Sequence, residues 1–170
     1  KPDLICLTGD FITWKYKQYD AYAKVLRVLS DHAPTFACLG NHDGGSWAEG
    51  KMKIGTSSSQ PVRDLLTNAN IRLLHNEHTV ETINGREINL VGVGDLWNDE
   101  CNPNTAFAKL DDSRPTMLLS HNPDSKDLMR DHPWDLMLCG HTHGGQVFLP
   151  GLGAPLAPVK DKRYVRGLHQ

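Results

Sequence analysis

Thr35-Phe36-Ala37-Cys38-Leu39-Gly40-Asn41-His42-Asp43 decides the fold: an apolar run stops abruptly on a glycine and three polar side chains. Short apolar runs bounded by turn residues mark buried strands. Leu4-Ile5-Cys6-Leu7 stops in the same way at Thr8-Gly9-Asp10. Thr116-Met117-Leu118-Leu119 stops at Ser120-His121, and Leu136-Met137-Leu138-Cys139 at Gly140-His141-Thr142-His143. Between the first two runs, Tyr19 to Ser30 places Tyr22, Val25, Leu26 and Leu29 at helical spacing, and Pro34 closes the segment. Strand, helix, strand in that order predicts a βαβ unit with parallel strands.

The remaining pattern is mixed. Residues 44 to 60 are rich in Gly, Ser and Lys and predict a mobile loop. Pro61 to Asn70 predicts a helix with proline in its first turn. Ile71 to Leu74, Thr79 to Ile83 and Glu87 to Val93 predict strands, with Asn84-Gly85 as a hairpin turn. Asn104 to Leu110 and Ser125 to Arg130 predict short helical segments, and Pro150 to Pro158 a Gly- and Pro-rich loop rather than core. The sum is an α/β (α+β layered) domain.

In open α/β sheets the ligand site lies off the carboxyl ends of the strands. The four polar clusters are therefore expected to meet, although Asp10 and His143 stand far apart in the chain. A glycine before each polar group lets the backbone turn and approach closely. Imidazole, carboxylate and amide oxygen together suit Mn²⁺, Fe²⁺, Co²⁺ or Zn²⁺, and the lack of cysteine in the clusters speaks against a structural thiolate zinc site. A carboxylate can bridge two cations. His141 and His143, two residues apart, can serve two neighbouring ions, the usual device for in-line displacement at phosphorus.

Composition sets the outer bounds. The chain has 170 residues, 39% hydrophobic and 22% charged with a net charge of −2, which fits one soluble globular domain over 1–170. No basic patch calls for nucleic acid: Lys160, Lys162, Arg163 and Arg166 form a short stretch broken by Asp161. No apolar stretch is long enough to span a membrane. Cys6, Cys38, Cys101 and Cys139 form no CxxC pair; Cys6, Cys38 and Cys139 sit in apolar runs and read as small buried hydrophobes, compatible with a reducing compartment. The chain opens at Lys1 without methionine and reads as a piece of a longer protein.

Thr8-Gly9-Asp10, Gly40-Asn41-His42-Asp43, Ser120-His121 and Gly140-His141-Thr142-His143 resemble, in order and spacing, the motifs of the calcineurin-like metallophosphoesterases. The resemblance covers residues 1 to roughly 150. Gly94-Asp95-Leu96-Trp97, His121-Asn122-Pro123-Asp124 and Gly144-Gly145-Gln146 look like the branch of small bacterial phosphoesterases. Some of that branch act on phosphodiester or pyrophosphate substrates, including the lipid A precursor UDP-2,3-diacylglucosamine.

The resemblance implies a four-layer αββα sandwich, incomplete here: the family's opening Asp-x-His strand motif is absent, and its last strands are expected beyond the chain. It implies two divalent metal ions, Mn²⁺ first, with Zn²⁺, Fe²⁺ or Co²⁺ as alternatives. Asp10 would bridge them; Asn41, His121 and His141 would complete the second site, and His143 would belong to the first. His42 would contact phosphate and protonate the leaving oxygen, with Asp43 beside it orienting the imidazole. The nucleophile would be a hydroxide shared by the metals. Where the family often carries another aspartate, this chain has Thr13. With the first site half built, the isolated chain is expected to hold one ion tightly.

The expected function is hydrolysis of a phosphodiester or pyrophosphate bond on a phosphoester substrate, a nucleotide-linked lipid precursor among the options. The alternatives are a catalytically impaired phosphoesterase-fold binding module, or a phosphomonoester or phosphoprotein phosphatase. The expected location is the cytoplasm or the inner membrane face. His32, His75, His78, His132 and His169 read as surface histidines. Trp14, Trp47 and Trp97 follow strand ends and read either as packing or as pocket walls, and Asp95 as a turn residue or a support for the site. Lys51 and Lys53 read as a solvated loop face or an attraction for anions.

Overall fold

The computed structural model describes residues 1–50 and 56–170. Its first sheet is built from β1 (Ile5–Leu7), β2 (Thr35–Ala37) and β3 (Arg72–Leu73), all parallel, in the order β1-β2-β3. The second holds β4 (Glu77–Ile83), β5 (Arg86–Gly92), β6 (Thr116–Leu119) and β7 (Leu136–Leu138), in the order β4-β5-β6-β7. There β4 and β5 form an antiparallel hairpin, while β5, β6 and β7 run parallel. The hairpin turns through Asn84 at φ 50° and Gly85 at φ 77°. Two successive positive φ values are the type I′ geometry that matches strand twist.

Side-chain alternation along the strands builds the layers. On β2 and just past it, Phe36 and Cys38 enter one core while Ala37 and Leu39 enter another. Phe36 and Cys38 meet Leu74, Leu90 and Leu119 in the seam between the sheets, with Leu4, Cys6, Ile88, Met117 and Leu138 around them. Ala37 and Leu39 pack instead under α1 (Tyr19–Ser30) and α3 (Gln60–Asn68), against Ala23, Val62, Leu65 and Leu66. On the far side, Val91, Val93 and Leu118 meet α4 (Pro103–Ala106), Phe107 and Met129, the last just after a 3₁₀ segment at Pro123–Leu128. The succession is helix, sheet, sheet, helix. Each fully buried leucine in these cores contributes roughly 1.5–3 kcal/mol.

Several expectations are corrected. Residues 44 to 60 contain a short helix, α2 (Ser46–Gly50), because Gly45 bends the chain against the Asn98 side chain and lets Glu49 N–H reach the Gly45 carbonyl. Lys51 and Lys53 lie outside the described residues. Cys139 is exposed and Cys6 only partly covered, since β7 and β1 are outer strands of their sheets. Val25 and Val28 face solvent on α1. The tail is irregular but not bare: Ala154, Ala157, Val159 and Val165 form a small core of their own. Among the described residues no helix is long and apolar enough to cross a membrane.

The loop after β1 and the loop after β2 are joined by one carboxylate. Asp43, fully buried, accepts hydrogen bonds from the backbone N–H groups of Gly40 (2.8 Å), Asp10 (2.9 Å), Phe11 (2.6 Å) and Ile12 (3.2 Å). The two backbones touch here, because a Cβ on Gly9, at φ 89°, would lie 2.7 Å from the Leu39 carbonyl carbon. Asp43→Ala would leave four backbone donors, two of them buried, without an acceptor, so a loss of about 3 kcal/mol or more is expected. The check is the midpoint of urea unfolding; a variant as stable as the parent would remove Asp43 from this role.

Candidate metal centre

All four polar clusters meet around one atom, His121 Nε2. Asp10 Oδ2 lies 3.2 Å from it, Asn41 Oδ1 3.1 Å and His141 Nδ1 3.2 Å. These residues follow β1, β2, β6 and β7, so the contact bridges both sheets. His121, Asn41 and His141 are buried. The close approach needs Gly40: a Cβ there would stand 2.6 Å from Asp10 N and 2.8 Å from His121 Cε1. Asp10 is held at φ 60° and His141 at φ 68°, left-handed values that side chains seldom adopt.

The tautomer of His121 is set by its other nitrogen. Nδ1 lies 2.6 Å from the Thr8 carbonyl, which can only accept, so Nδ1 carries the proton. Neutral His121 then turns the lone pair of Nε2 toward two further acceptors, the Asp10 carboxylate and the Asn41 amide oxygen. Such a gathering is repulsive unless a cation or a proton sits within it. Burial alone would lower the His121 pKa, but the hydrogen bond and charge of Asp10 reverse the sign and raise it. Burial likewise works against the Asp10 carboxylate, yet His121 draws its pKa below the usual value.

His141 has the opposite balance. Burial, and then the charge on His121, lower its pKa to about 4. Its Nε2 is buried and completes no hydrogen bond, although the Pro158 carbonyl favours a proton on this ring. Two imidazoles, a carboxylate and an amide oxygen, with one imidazole N–H fixed by a backbone carbonyl, fit a divalent cation. Donor atoms roughly 2.0–2.2 Å from a common ion lie about 3.0–3.5 Å apart, the spacing seen around His121. Among the described residues, no three His, Cys, Asp or Glu side chains form an ion site by themselves. The Asn41 amide is one of the three neighbours around His121.

The other expected residues fall differently. His143 is exposed, at φ 51° in the turn that follows His141, and it makes no hydrogen bond to the cluster among the described residues. His42 stands at the mouth, half-buried; its backbone N–H donates to Asp10 Oδ1 at 3.0 Å. Its Nδ1 lies 3.3 Å from the Thr13 carbonyl, which orients the ring. Asp43 does not perform that task, because its carboxylate is spent on four backbone N–H groups. Burial pushes the Asp43 pKa up to about 7 against the pull of those donors. Thr13, a departure from the family pattern, contributes through its backbone.

Asp95 belongs to the supporting structure. It is buried, and Oδ1 accepts from Trp97 N–H (3.0 Å), Asn98 N–H (2.9 Å) and Asn98 Nδ2 (3.2 Å). Its Oδ2 is buried without a partner among the described residues. Burial raises its pKa to about 6, while the charge on His121 draws it down. Trp47 and Trp97 line the site and Trp14 does not: rings run His42, Trp47, Trp97, His141 with successive centroids 4.9, 5.3 and 4.3 Å apart. Trp14 is 62% exposed. His75, His78 and His132 are partly buried rather than surface residues: His78 bonds the Ala106 carbonyl and His132 stacks on Phe107. The Thr8 and Thr13 carbonyls and the Asn98 anchor had no signal in the sequence, since none is a chemistry-bearing side chain in a motif.

The family model of the calcineurin-like phosphoesterases matches residues 1–145. Phosphodiesterase YaeI of Escherichia coli is 47% identical over 99% of this chain and 59% of its own length. The UDP-2,3-diacylglucosamine pyrophosphatase LpxG of Chlamydia muridarum is 31% identical over 88% and 56%. The uncharacterized metallophosphoesterase YkuE of Bacillus subtilis is 31% identical over 100% and 57%. The chain thus spans under two thirds of the curated relatives it matches. The solved structure of Haemophilus influenzae NAD nucleotidase superposes with a TM-score of 0.58 at 15% identity, covering 82% of this chain and 29% of that one, a likeness of fold alone. A family model over most of the chain, on the fold and strand-end cluster described, places this protein among the calcineurin-like phosphoesterases.

Proposed function

We propose that the chain carries the larger part of a metal-dependent active centre that hydrolyses a phosphodiester or pyrophosphate bond. The observation that supports this most directly is the set of acceptors around His121 Nε2, an arrangement that calls for a cation. Asp10, Asn41, His121 and His141 would hold one divalent ion, Mn²⁺ first, with Zn²⁺, Fe²⁺ or Co²⁺ as alternatives. Asp10 and His143 would contribute to a second ion whose other ligands come from outside this chain. Bound divalent cations supply Lewis acidity at a phosphoryl oxygen and lower the pKa of water.

This chain's own residues do the rest. The Thr8 carbonyl holds His121 in the tautomer that turns Nε2 inward. Thr13 engages His42 Nδ1, which leaves Nε2 as the nitrogen that would touch a phosphoryl oxygen and, from the imidazolium form, give its proton to the departing group. Asp43 keeps the Asp10 and Gly40 backbones together so that carboxylate and imidazole stay in register. The relatives named a phosphodiesterase and a pyrophosphatase support a diester or diphosphate substrate over a phosphoprotein. A nucleotide-linked lipid precursor belongs to that class. The strained backbone at Asp10 and His141, both in the cluster, favours a working site over the scaffold alternative.

Metal analysis of the isolated chain after dialysis against Mn²⁺ is expected to give about one tightly held ion. Asp10→Asn and His121→Gln should each abolish it; two fully occupied ions in the isolated chain would refute the half-built site of Asp10 and His143. In the full-length protein, His42→Ala should retain bound metal and lose on the order of 10²–10⁴-fold in turnover of a phosphodiester. Undiminished turnover would remove His42 from proton transfer.

A further inference from the structure

Beside the cation cluster lies a recess of about 380 Å³ lined by Ser46, Trp47, Leu96, Trp97 and Asp99. It joins the centre directly: Trp97 packs edge-on against His141 at 4.3 Å, and Trp47 against His42 at 4.9 Å. We propose that this recess binds a planar heteroaromatic ring, a nucleobase, of a phosphoester substrate through stacking on Trp47 and Trp97. The proposal rests on the phosphoester reading above and narrows its substrate class.

Three features select a flat ring. First, both tryptophans are half-buried, so part of each indole remains open to a ligand. Their centroids are 5.3 Å apart at a 38° tilt. A ring sandwiched between them would need about twice the ~3.5–4.0 Å carbon contact distance. The ligand therefore lies against the exposed faces rather than between them.

Second, among the described residues Leu96 is the one aliphatic side chain of the wall, and Ser46 and Asp99 are exposed beside it. Among the described residues the Ser46 hydroxyl and the Asp99 carboxylate enter no hydrogen bond, so both can meet the polar edge of a base. Among the described residues an acyl chain would find one leucine and a carboxylate. Base stacking tolerates any ring with a π-face, and the edge groups add direction.

Third, the loops that carry the indoles are held in advance. The backbone N–H of Trp97 donates to Asp95 Oδ1 at 3.0 Å and the backbone N–H of Trp47 to Asn98 Oδ1 at 2.9 Å, while Asn98 in turn donates to Asp95. Asp95 and Asn98 are buried. One buried carboxylate thus fixes both loops that carry the tryptophans, and a preformed stacking surface loses little freedom on binding.

The test is calorimetric titration of the metal-loaded full-length protein with adenosine 5′-monophosphate, ribose 5-phosphate, octyl phosphate and ethyl phosphate. Phosphodiester turnover is assayed in parallel. The nucleotide should bind roughly ten- to a hundredfold more tightly than ribose 5-phosphate, the usual value of one base stack. Trp47→Ala and Trp97→Ala should each bring that ratio toward one, and Trp47→Phe and Trp97→Phe should keep most of it. Equal affinity of the two ligands in the unaltered protein would overturn the proposal while turnover persists. So would a ratio that survives both alanine variants, or octyl over ethyl phosphate gaining more than the base does. If neither phosphate binds and no phosphodiester is hydrolysed, the phosphoester reading falls, and this one with it.

Discussion

The hydrogen bond from His121 Nδ1 to the Thr8 carbonyl, at 2.6 Å, joins the end of a strand in one sheet to the end of a strand in the other. It fixes how the sheets meet at their carboxyl ends, and it settles which nitrogen of His121 faces the Asp10 and Asn41 oxygens. A histidine whose outer N–H is held by a backbone carbonyl is a more basic and better-aimed ligand than a free one. Structure and chemistry thus share a single bond. The seam of Phe36, Cys38, Leu74, Leu90 and Leu119 brings the strand ends within reach, and the bond fixes their relative position.

Around that bond the backbone is drawn out of its ordinary conformations. Asp10, His141 and His143 all take positive φ, and Gly9 and Gly40 permit an approach that any Cβ would block. These costs are met by polar anchors rather than by more apolar surface. Asp43 gathers four backbone donors, and Thr142 Oγ1 donates to the Val165 carbonyl at 2.7 Å. Asp124 accepts from Lys160 N–H at 2.9 Å, which ties the irregular tail to the turn after β6. The tail's small core, Ala154 and Val165 against Gly145, then backs the His141 turn.

Much of this was legible in the sequence because it is written in periodic or punctuated patterns. Helix α1, the Asn84-Gly85 hairpin and the four strand ends follow from spacing and turn residues, and the family resemblance supplied the layer order. The convergence of Asp10, Asn41, His121 and His141 followed from topology alone. What stayed hidden acts through the backbone or through burial. The carbonyls of Thr8 and Thr13 have no signature in residue type. Asp43 looked like a partner for the neighbouring imidazole because adjacency in sequence suggests adjacency in space, but its side chain points into the protein and His42 points out. Helix α2 was missed since a Gly- and Ser-rich segment has low helical propensity, and contact with Asn98 overrides it.

The Asp95 carboxylate shows how the two kinds of information separate. Its position after a strand end is readable, but its task depends on three donors arriving from Trp97 and Asn98, and Asn98 in turn holds Trp47 from a distant loop. A carboxylate buried this deeply is costly unless its acceptors are used. One oxygen is fully used and the other is not, so the group is under tension between burial, which favours its neutral form, and the nearby His121 charge, which favours its anion. That tension ties the aromatic wall to the electrostatics of the cation cluster. A change in charge at His121 alters the field at Asp95, and Asp95, with Asn98, anchors the backbone of both loops that carry the indoles. The recess and the reaction centre are therefore parts of one polar network.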